Sequence, residues 1–480
     1  MKNLLCKDGE IEVIENTPFH NDELHRDKIA EVLTDVVNAY AHSGAVLAID
    51  GEWGTGKTTF VKMWCQYLKN NRYKTLYFNA WETDFIKDPL IALMGELKDI
   101  FGSDNPKWRE FIKSIGKISV KAGGGCLKSF IEKKIGVSID AINVAVDEVA
   151  NICHTQIDAY EGRKAEMAQF KTKLSELVAS TAQTNKHPLI FFIDELDRCS
   201  PNYAVKVLER VKHLFEVPNI IFVLAVNINQ LQHAVKGFYG SSDIDGAEYL
   251  KRFIDLHYNL PAPNMRDYVK VLYDKHSFDD FFECEARKES CKFSNEGGNF
   301  CVFIQDVLSC TENLNLRSVN KIIAYTRIVL QGFSVKERFD AHLVFLLCYI
   351  KFVKPILYNS ICKGDLTIQG LLDTIEQEFP LAMFDDKQGF DITHFLTYAA
   401  ALLLLRYNYP SRGQKKEQNF YGTELYNSKS RTFPLLPTKF DKQKLDDALT
   451  DYMYNGYDKY YIDGLSLILE RINLTQNLQF

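Results

Sequence analysis

The 480-residue sequence contains no apolar run long enough to cross a membrane. Its longest apolar runs are Leu343–Ile350 and Phe395–Leu405, whereas a spanning helix needs about 20 apolar residues. The first residues, MKNLLCKDGEIEV, also lack the apolar core and the small-residue cleavage pattern of a secretion signal. We therefore expect a soluble, cytoplasmic protein without a membrane span.

Closely spaced cysteine pairs are absent as well. The sequence has 11 cysteines, an odd number that suits a reducing compartment, where disulfides are rare. Four of them follow His276 at intervals wider than the roughly two to four residues typical of structural zinc sites: Cys284, Cys291, Cys301 and Cys310. The favoured interpretation is buried or loop thiols, and a metal site is the less favoured alternative.

The sequence also has no excess of positive charge. It contains 57 Lys and Arg residues against 63 Asp and Glu residues, which gives a net charge of -6 at pH 7. Such a chain has no global field that attracts nucleic acid or anionic lipid, although this does not exclude a local basic groove. The composition therefore weighs against a dedicated nucleic-acid binder.

Strand and helix signals alternate through the first half of the sequence. Short apolar runs bounded by polar residues are typical of buried parallel strands and predict Ala45–Asp50, Leu189–Ile193 and Ile220–Val226. Lys74–Asn79 is predicted as a strand from its alternating, aromatic-rich pattern, and Ile254–Leu260 is a candidate for a fifth strand. Helical periodicity precedes the first strand at Phe19–His42, with Asn21 or Asp22 as its cap, and follows it at Phe60–Asn70. This alternation predicts an α/β fold with a doubly wound, mainly parallel sheet.

A helical insertion and a helical second half complete the predicted organisation. About a hundred residues separate the second and third strands, far more than a simple crossover needs, and their patterns predict a helical insertion over about residues 85–186. After Pro263 the strand signals fade. We predict a nucleotide-binding core over residues 1–262 and an α-helical domain over residues 263–480, with helices near Met265–His276, Ser318–Leu330, Val335–Val353, Gly370–Phe379, Ile392–Tyr407 and Lys442–Tyr454.

The segment Gly51–Thr58 has the sequence GEWGTGKT, which matches the pattern G-x-x-x-x-G-K-[ST] between an apolar strand and a helix. In this setting main-chain N–H groups and the positive end of the helix attract phosphate, and glycines permit close approach and positive φ angles. Lys57 is expected to reach the β- and γ-phosphates, and Thr58 to ligate Mg²⁺. The predicted cofactors are ATP and Mg²⁺, and the predicted nucleotide-binding residues are Gly51, Glu52, Trp53, Gly54, Thr55, Gly56, Lys57, Thr58 and Thr59.

The apolar run Leu189–Ile193 ends in two acidic residues, Asp194 and Glu195. A buried strand would fix Asp194 at the C-terminal edge of the sheet, where its carboxylate holds Mg²⁺ through water. Glu195 would then lie beside the γ-phosphate as a general base or water-orienting group, which favours an active hydrolase over a passive nucleotide binder. Asp197 and Arg198 follow, either as a local ion pair capping the next helix or as residues with a role in coupling.

Several motifs over about residues 20–330 together resemble the KAP family of P-loop NTPases: Gly51–Thr58, Phe78–Trp81, Ile193–Arg198, Phe222–Asn227 and Tyr249–Phe253. The resemblance implies an additional-strand, ASCE-type P-loop sheet with a catalytic glutamate and often a helical insertion. In many members that insertion contains transmembrane helices, but here it does not look hydrophobic enough for them. Bacterial members of the family are associated with phage exclusion and other conflict systems.

The same resemblance implies roles for three further residues. Asn227 looks like a sensor that contacts the γ-phosphate or the attacking water, at a position where many members have Asp. Arg252 looks like an arginine finger acting in cis or from a neighbouring subunit, with a surface salt bridge as the alternative. Arg317 resembles the arginine of the helix that follows the nucleotide domain and would sense the γ-phosphate, or else it is a surface residue. The predicted catalytic residues are thus Glu195, Lys57, Asn227, Arg252 and Arg317.

Three functions are compatible with these motifs. The first is a regulatory switch in bacterial antiphage defence, in which ATP binding and hydrolysis control self-association or the recruitment of a partner or effector protein. The second is a nucleic-acid-dependent motor or loader, which would use the basic segments Lys107–Lys134 and Arg412–Lys416. The third is a nonhydrolytic scaffold that nucleotide stabilises. Because we find no nuclease, protease or glycosidase constellation in the sequence, we favour the switch.

Overall fold

The computed structural model describes residues 12–85, 89–101, 106–108, 111, 168, 171–179, 187–214, 217–241, 243–290, 295–337, 339–384, 390–408, 438–454 and 465–474. These residues fall into two compact units, one within Glu10–Ala262 and the other within Pro263–Phe480. Most of the predicted helical insertion, most of the basic segment Lys107–Lys134 and all of the basic segment Arg412–Lys416 lie outside the described residues.

The first unit is built on a five-stranded parallel sheet with the strand order β2-β3-β4-β1-β5. Its strands are β1 (Ala45–Asp50), β2 (Lys74–Asn79), β3 (Leu189–Asp194), β4 (Ile220–Val226) and β5 (Leu256–Asn259). Strands β3 and β4 are buried along their whole length, which explains why both are continuous apolar runs. Strand β4 lies between β1 and β3 and is therefore the additional strand of the predicted ASCE-type sheet.

Helices cover both faces of this sheet. They are α1 (Asp27–Ala39), α2 (Lys57–Asn70), α3 (Pro89–Phe101), α4 (Pro201–Leu214), α5 (Ile228–Tyr239) and α6 (Gly246–Leu250). Neighbouring residues of β3 point to opposite faces: Phe191 stacks on Phe222 in one apolar cluster, whereas Phe192 meets Trp64 of α2 in the other. The predicted doubly wound parallel α/β fold is therefore confirmed.

The register of the strands brings their C-terminal ends to one edge of the sheet. Asn79, the last residue of β2, is paired with Asp194, the last residue of β3. Asp194 is in turn paired with Ala225 of β4, and Asp50 at the end of β1 with Val226. Ligands of open α/β sheets bind at this edge.

Helix α1 is shorter than the sequence analysis predicts. It begins at Asp27, whereas the prediction was Phe19–His42. The carboxylate of Asp22 accepts hydrogen bonds from the main-chain N–H groups of Leu24 and Arg26, and His25 has a left-handed φ of 52°. Asp22 therefore stabilises a turn before the helix, and the predicted N-cap at Asn21 or Asp22 is wrong.

The second unit is helical. Its helices are α7 (Met265–Lys275), α8 (Asp279–Phe282), α9 (Glu285–Ser290), α10 (Glu296–Ser309), α11 (Leu316–Gln331), α12 (Ala341–Val353), α13 (Pro355–Lys363), α14 (Ile368–Glu378), α15 (Phe390–Asn408), α16 (Lys442–Tyr454) and α17 (Leu465–Leu474). Helix α12 begins later than the predicted Val335, because the side chain of Asp340 caps it by accepting from the N–H of Leu343. In the part of the chain that the structure describes, no helix combines the length and apolar character needed to cross a bilayer.

The cysteines near His276 do not form a metal site among the described residues. Cys284, Cys301 and Cys310 are free thiols, and His276 is buried with its Nε2 atom 3.0 Å from Oδ1 of Asn320. Within the described ranges no three His, Cys, Asp or Glu residues form a group able to hold a metal ion. Cys291, the fourth cysteine of the set, lies outside those ranges.

Candidate nucleotide-binding site

The segment Gly51–Thr58 forms the loop between β1 and α2, and its shape depends on glycine. Gly54 and Gly56 have φ angles of 81° and 82°, in the left-handed region that other residues seldom adopt. Gly56 directly precedes α2, so the first N–H groups of this helix, which have no partner within the helix, lie at the end of the loop. A loop of this form is able to bind a phosphate group.

Lys57 is a buried cation folded back onto its own loop. Its side chain is 8% exposed, and its Nζ donates to the main-chain oxygens of Gly51 and, at 3.0 Å, of Glu52. Burial lowers the pKa of Lys57 because the charged form loses hydration. Four carboxylates act in the opposite direction and favour the ammonium, the strongest first: Asp197, Asp194, Asp50 and Glu52.

Asp194 and Thr58 form the candidate metal-binding pair. Asp194 is 1% exposed, and it accepts hydrogen bonds at 2.8 Å from the hydroxyl of Tyr77 and from the N–H of Glu195. Burial raises its pKa, while hydrogen bonds from Tyr77 and from the side chain of Thr58 oppose that rise. A carboxylate next to a hydroxyl presents the hard oxygen ligands that Mg²⁺ prefers, so these residues fit the predicted cation.

Glu195 is held in an unusual conformation beside this pair. Its φ of 59° is in the left-handed region, which is uncommon for a residue with a side chain. One carboxylate oxygen lies 3.1 Å from a guanidinium nitrogen of Arg198, and the other accepts from Nδ2 of Asn79 at 3.4 Å. Asn79 also donates to Glu82 at 3.0 Å. Both oxygens of Glu195 therefore already have partners on neighbouring segments.

Asn227 links the end of β4 to the phosphate-binding loop. It is 2% exposed, and its Nδ2 donates to Oε2 of Glu52 at 2.8 Å. Its Oδ1 accepts from the N–H of Gln230 and so caps helix α5. The structure thus places the predicted sensor residue against a residue of the loop, while its contact with a γ-phosphate stays a prediction.

Arg252 and Arg317 are both exposed, one in each unit of the chain. Arg252 follows α6, is exposed, and has its guanidinium carbon 6.0 Å from the centre of the Tyr249 ring. Arg317 is exposed in the first turn of α11, within the helical unit. The predicted catalytic roles of both arginines stay predictions.

The structure gives Asp197 and Arg198 partners other than each other. Asp197 accepts a hydrogen bond from the indole nitrogen of Trp53 at 2.5 Å, and Arg198 pairs with Glu195. Directly before α4, the carboxylate of Asp84 accepts hydrogen bonds from the N–H and hydroxyl groups of Ser200 at 2.9 and 2.8 Å. The interpretation of Asp197 and Arg198 as a local ion pair capping this helix is therefore wrong.

Two residues that the sequence analysis did not single out organise the sheet edge. Asp50 accepts from the N–H of Ile228 at 2.9 Å, and its other oxygen lies 3.1 Å from Nε2 of His257. Asn79, within the Phe78–Trp81 motif, contacts Glu195 as described above. Each is a polar residue at the end of an apolar strand, and this signal could have identified both.

Arg26 is a third such residue, and no local pattern indicates its role. It is 3% exposed, and its guanidinium donates to the main-chain oxygen of Thr55 at 2.9 Å and to that of Pro261 at 3.2 Å. Burial lowers the pKa of Arg26 to about 10. The side chain joins the phosphate-binding loop to the segment that follows β5.

A family model described as the KAP family P-loop domain matches residues 26–333 of the chain. The Phage T7 exclusion protein of Escherichia coli (strain K12) is 23% identical over 235 residues, which are 46% of this chain and 31% of that protein. The match therefore spans less than a third of the length of that relative.

Solved structures with low sequence identity are also similar. The ORC2 protein of Aeropyrum pernix, in its ADPNP-ADP complexes, is 14% identical with a TM-score of 0.33, covering 89% of this chain and 95% of that one. AMPPCP-bound DnaA from Aquifex aeolicus is 9% identical with a TM-score of 0.30, covering 93% and 92%. At these TM-scores the likeness adds nothing to the strand order described above.

Proposed function

Because the chain belongs to the KAP family of P-loop NTPases, we propose that it binds ATP with Mg²⁺ and hydrolyses the ATP as part of a regulatory switch. One observation carries the proposal: the carboxylate of Glu195 lies at the same edge of the sheet as Lys57 and the Asp194–Thr58 pair. A passive nucleotide binder needs Lys57, Asp194 and Thr58 but does not need a general base beside them.

Each residue has a distinct part in the proposed reaction. Lys57 would exchange its bonds to loop carbonyls for bonds to the β- and γ-phosphates, and Thr58 and Asp194 would hold the cation, which neutralises phosphate charge when bound. Glu195 would accept a proton from the attacking water while the oxygen of that water forms a bond to the γ-phosphorus. The bond from that phosphorus to the bridging oxygen breaks, and ADP and phosphate leave.

The proposed regulation rests on the contacts of Glu195. A general base must be able to approach the attacking water, but both oxygens of this carboxylate are held by Arg198 and Asn79. Each oxygen keeps a second lone pair that can accept from water, so these contacts orient the base, and a trigger that moves Arg198 or Asn79 would change the rate of hydrolysis. In this respect the site suits a switch better than a continuously active ATPase.

The similarity to a phage exclusion protein supports a role in bacterial antiphage defence. The match covers only part of that relative, so we extend this role to the chain as a proposal. In this setting the nucleotide state would control self-association or the recruitment of an effector protein.

The test compares ATP turnover of the wild type with that of Glu195→Gln and of Glu209→Gln, which makes the same chemical change at an exposed position of α4. We expect Glu195→Gln to bind ATP with Mg²⁺ but to lose at least about 100-fold in turnover, because it lacks the base. Glu209→Gln should match the wild type. Size-exclusion chromatography with and without ATP and Mg²⁺ would reveal nucleotide-dependent assembly.

Two outcomes would count against the proposal. If wild type and Glu195→Gln both bind ATP and neither hydrolyses it, the isolated chain behaves as a nucleotide-stabilised scaffold. If DNA stimulates hydrolysis and its binding falls steeply with added salt, a nucleic-acid-dependent ATPase is the better description.

A further inference from the structure

The side chain of Trp53 joins the phosphate-binding loop to the turn after β3. Its indole nitrogen donates to Oδ2 of Asp197 at 2.5 Å. Asp197 is 9% exposed, whereas Trp53 is 45% exposed. Hydrogen bonds to an ionised acceptor are stronger than neutral ones, so this contact is able to fix the loop to the turn.

The turn that Trp53 contacts also positions Glu195. Residues Leu196–Arg198 form a single 3₁₀ turn that starts directly after Glu195. Within it the N–H of Arg198 donates to the main-chain oxygen of Glu195 at 3.1 Å, and its guanidinium binds the Glu195 carboxylate. Since Asp197 and Arg198 are consecutive, a displacement of Asp197 moves the group that holds Glu195.

We propose that the hydrogen bond between Trp53 and Asp197 is a positioning contact that makes the placement of Glu195 depend on the state of the phosphate-binding loop. This inference rests on the proposed function, because it assigns both residues to the same site. Trp53 and Asp197 act through Arg198 and Glu195, and neither one takes part in the proton transfer itself.

The first test measures kcat and KM for ATP in five variants: Trp53→Phe, Asp197→Ala, Asp197→Asn, the double variant Trp53→Phe/Asp197→Ala, and the control Trp81→Phe. Trp53→Phe keeps the ring but loses the donor, and Asp197→Asn keeps an acceptor oxygen. We expect kcat to fall about tenfold in Trp53→Phe and in Asp197→Ala, which corresponds to the loss of one hydrogen bond to a charged group. Asp197→Asn should stay within about threefold of the wild type, because the bond can still form.

The double variant and the control decide whether the bond itself is responsible. Two residues that act through one shared contact are not additive, so the double variant should be no slower than the slower single variant. Trp81 is exposed and has the Arg198 guanidinium 6.0 Å from its ring, but its change to Phe should leave kcat within about twofold. Wild-type kcat in Trp53→Phe, or a double variant whose loss is the product of the two single losses, would overturn the proposal.

A fluorescence measurement tests the same contact without hydrolysis. Of the four tryptophans, Trp64 and Trp108 are buried, so in Trp81→Phe protein the exposed indole is that of Trp53. In this background we expect Glu195→Gln, which weakens the pair with Arg198, to shift the emission of Trp53, and Asp197→Ala to abolish the difference. If the wild type proves unable to hydrolyse ATP, this shift still supports the contact while the proposed function fails. Identical emission with Glu and Gln at position 195 would refute it.

Discussion

The two units of the chain bury charged side chains in different ways. In the helical unit Arg287 is 1% exposed and forms a bidentate pair with Glu296, at 2.9 and 2.6 Å. Its third donor binds the main-chain oxygen of Glu337 at 2.6 Å, and its guanidinium carbon lies 4.6 Å from the centre of the Phe339 ring. This buried cation has a carboxylate, a carbonyl and an aromatic face as partners.

In the α/β unit the buried charges are less completely compensated. Lys57 bonds to carbonyl oxygens of its own loop, and burial lowers its pKa. Asp194 is hydrogen-bonded by neutral donors, and burial raises its pKa. A nearby group of opposite charge, such as Mg²⁺ for Asp194 or phosphate for Lys57, would stabilise the charged form of each side chain.

The contrast separates charges that hold the fold from charges that await a ligand. A buried pair such as Arg287–Glu296 makes the unit depend on both partners, because either one alone is an uncompensated charge. Perturbed ionisable groups at a sheet edge are instead typical of functional sites. Removing a charge should therefore affect stability in the helical unit and ligand binding in the α/β unit.

The largest expected effect is on the helical unit. Arg287→Met should lower the free energy of unfolding by about 3–5 kcal/mol, because Glu296 is left buried without its partner. Urea denaturation followed by circular dichroism would measure this loss. The neighbouring Lys288→Met removes an exposed pair with Glu283 and should leave the transition unchanged. Equal transitions for both variants would contradict the assignment of Arg287 to the stability of the fold.

The next effect concerns binding. Lys57→Met should weaken ATP affinity by about 100-fold, equivalent to about 2.7 kcal/mol, and should not lower the melting temperature of the nucleotide-free protein. Isothermal titration calorimetry and thermal denaturation would measure the two quantities. Lys69→Met, at the exposed end of the same helix, is the control and should bind ATP normally. A destabilised Lys57→Met protein with normal ATP affinity would show that Lys57 serves the stability of the fold and not ligand binding.

The sequence predicts the sheet better than its surroundings, and the reason is physical. Strands β3 and β4 are buried on both faces, so their apolar runs end where the strands end. Helix α1 was predicted to start too early, because apolar periodicity does not reveal that Asp22 binds the N–H groups of Leu24 and Arg26. Helix ends depend on such side-chain contacts more than on periodicity.

In the candidate site, the functional residues are predictable from the sequence, whereas the contacts that hold them are not. Lys57, Thr58, Asp194 and Glu195 belong to motifs whose chemistry requires those residue types, and the sequence predicts them directly. The contacts that hold them join residues far apart in the chain: Asn79 and Glu195 are 116 positions apart, and Trp53 and Asp197 are 144 apart. No local pattern encodes a pairing at that distance, so these partners require the fold.

A smaller effect is expected from the raised pKa of Asp194. Because burial raises this pKa, the folded protein binds the proton more tightly than the unfolded chain does. The contribution of Asp194 to stability is therefore most favourable at acid pH and is lost as the pH rises through the folded-state pKa. Asp194→Asn does not ionise, so near pH 7 the nucleotide-free variant should be more stable than the wild type.

Unfolding experiments at several pH values would measure this difference, which should shrink toward low pH. The stabilisation that ATP and Mg²⁺ give the wild type should also be reduced in Asp194→Asn, because the variant lacks the carboxylate ligand. Asp245→Asn makes the same change at the exposed cap of α6 and should show neither effect. A gap between Asp194→Asn and the wild type that stays constant with pH would show that ionisation is not its cause.

The smallest effect on stability is expected at Asn227, where one side chain serves both the fold and the site. Its Oδ1 caps α5, and its Nδ2 donates to Glu52 of the phosphate-binding loop. Asn227→Ser keeps a good cap but is too short to bind Glu52, so stability should change by less than about 0.5 kcal/mol. Turnover should nevertheless fall about tenfold, because the loop loses a hydrogen bond to a charged group.

Asn264→Ser, the same change at the cap of α7 in the helical unit, supplies the matched control. Both variants should melt within about a degree or two of the wild type, because a change of a few tenths of a kcal/mol in the free energy of unfolding shifts the melting temperature by about that much. Steady-state ATPase assays should then separate them, since only Asn227 has a second contact with the phosphate-binding loop. Equal turnover in the two variants would mean that the amide of Asn227 serves the helix alone, and that Glu52 needs no partner for the site to work.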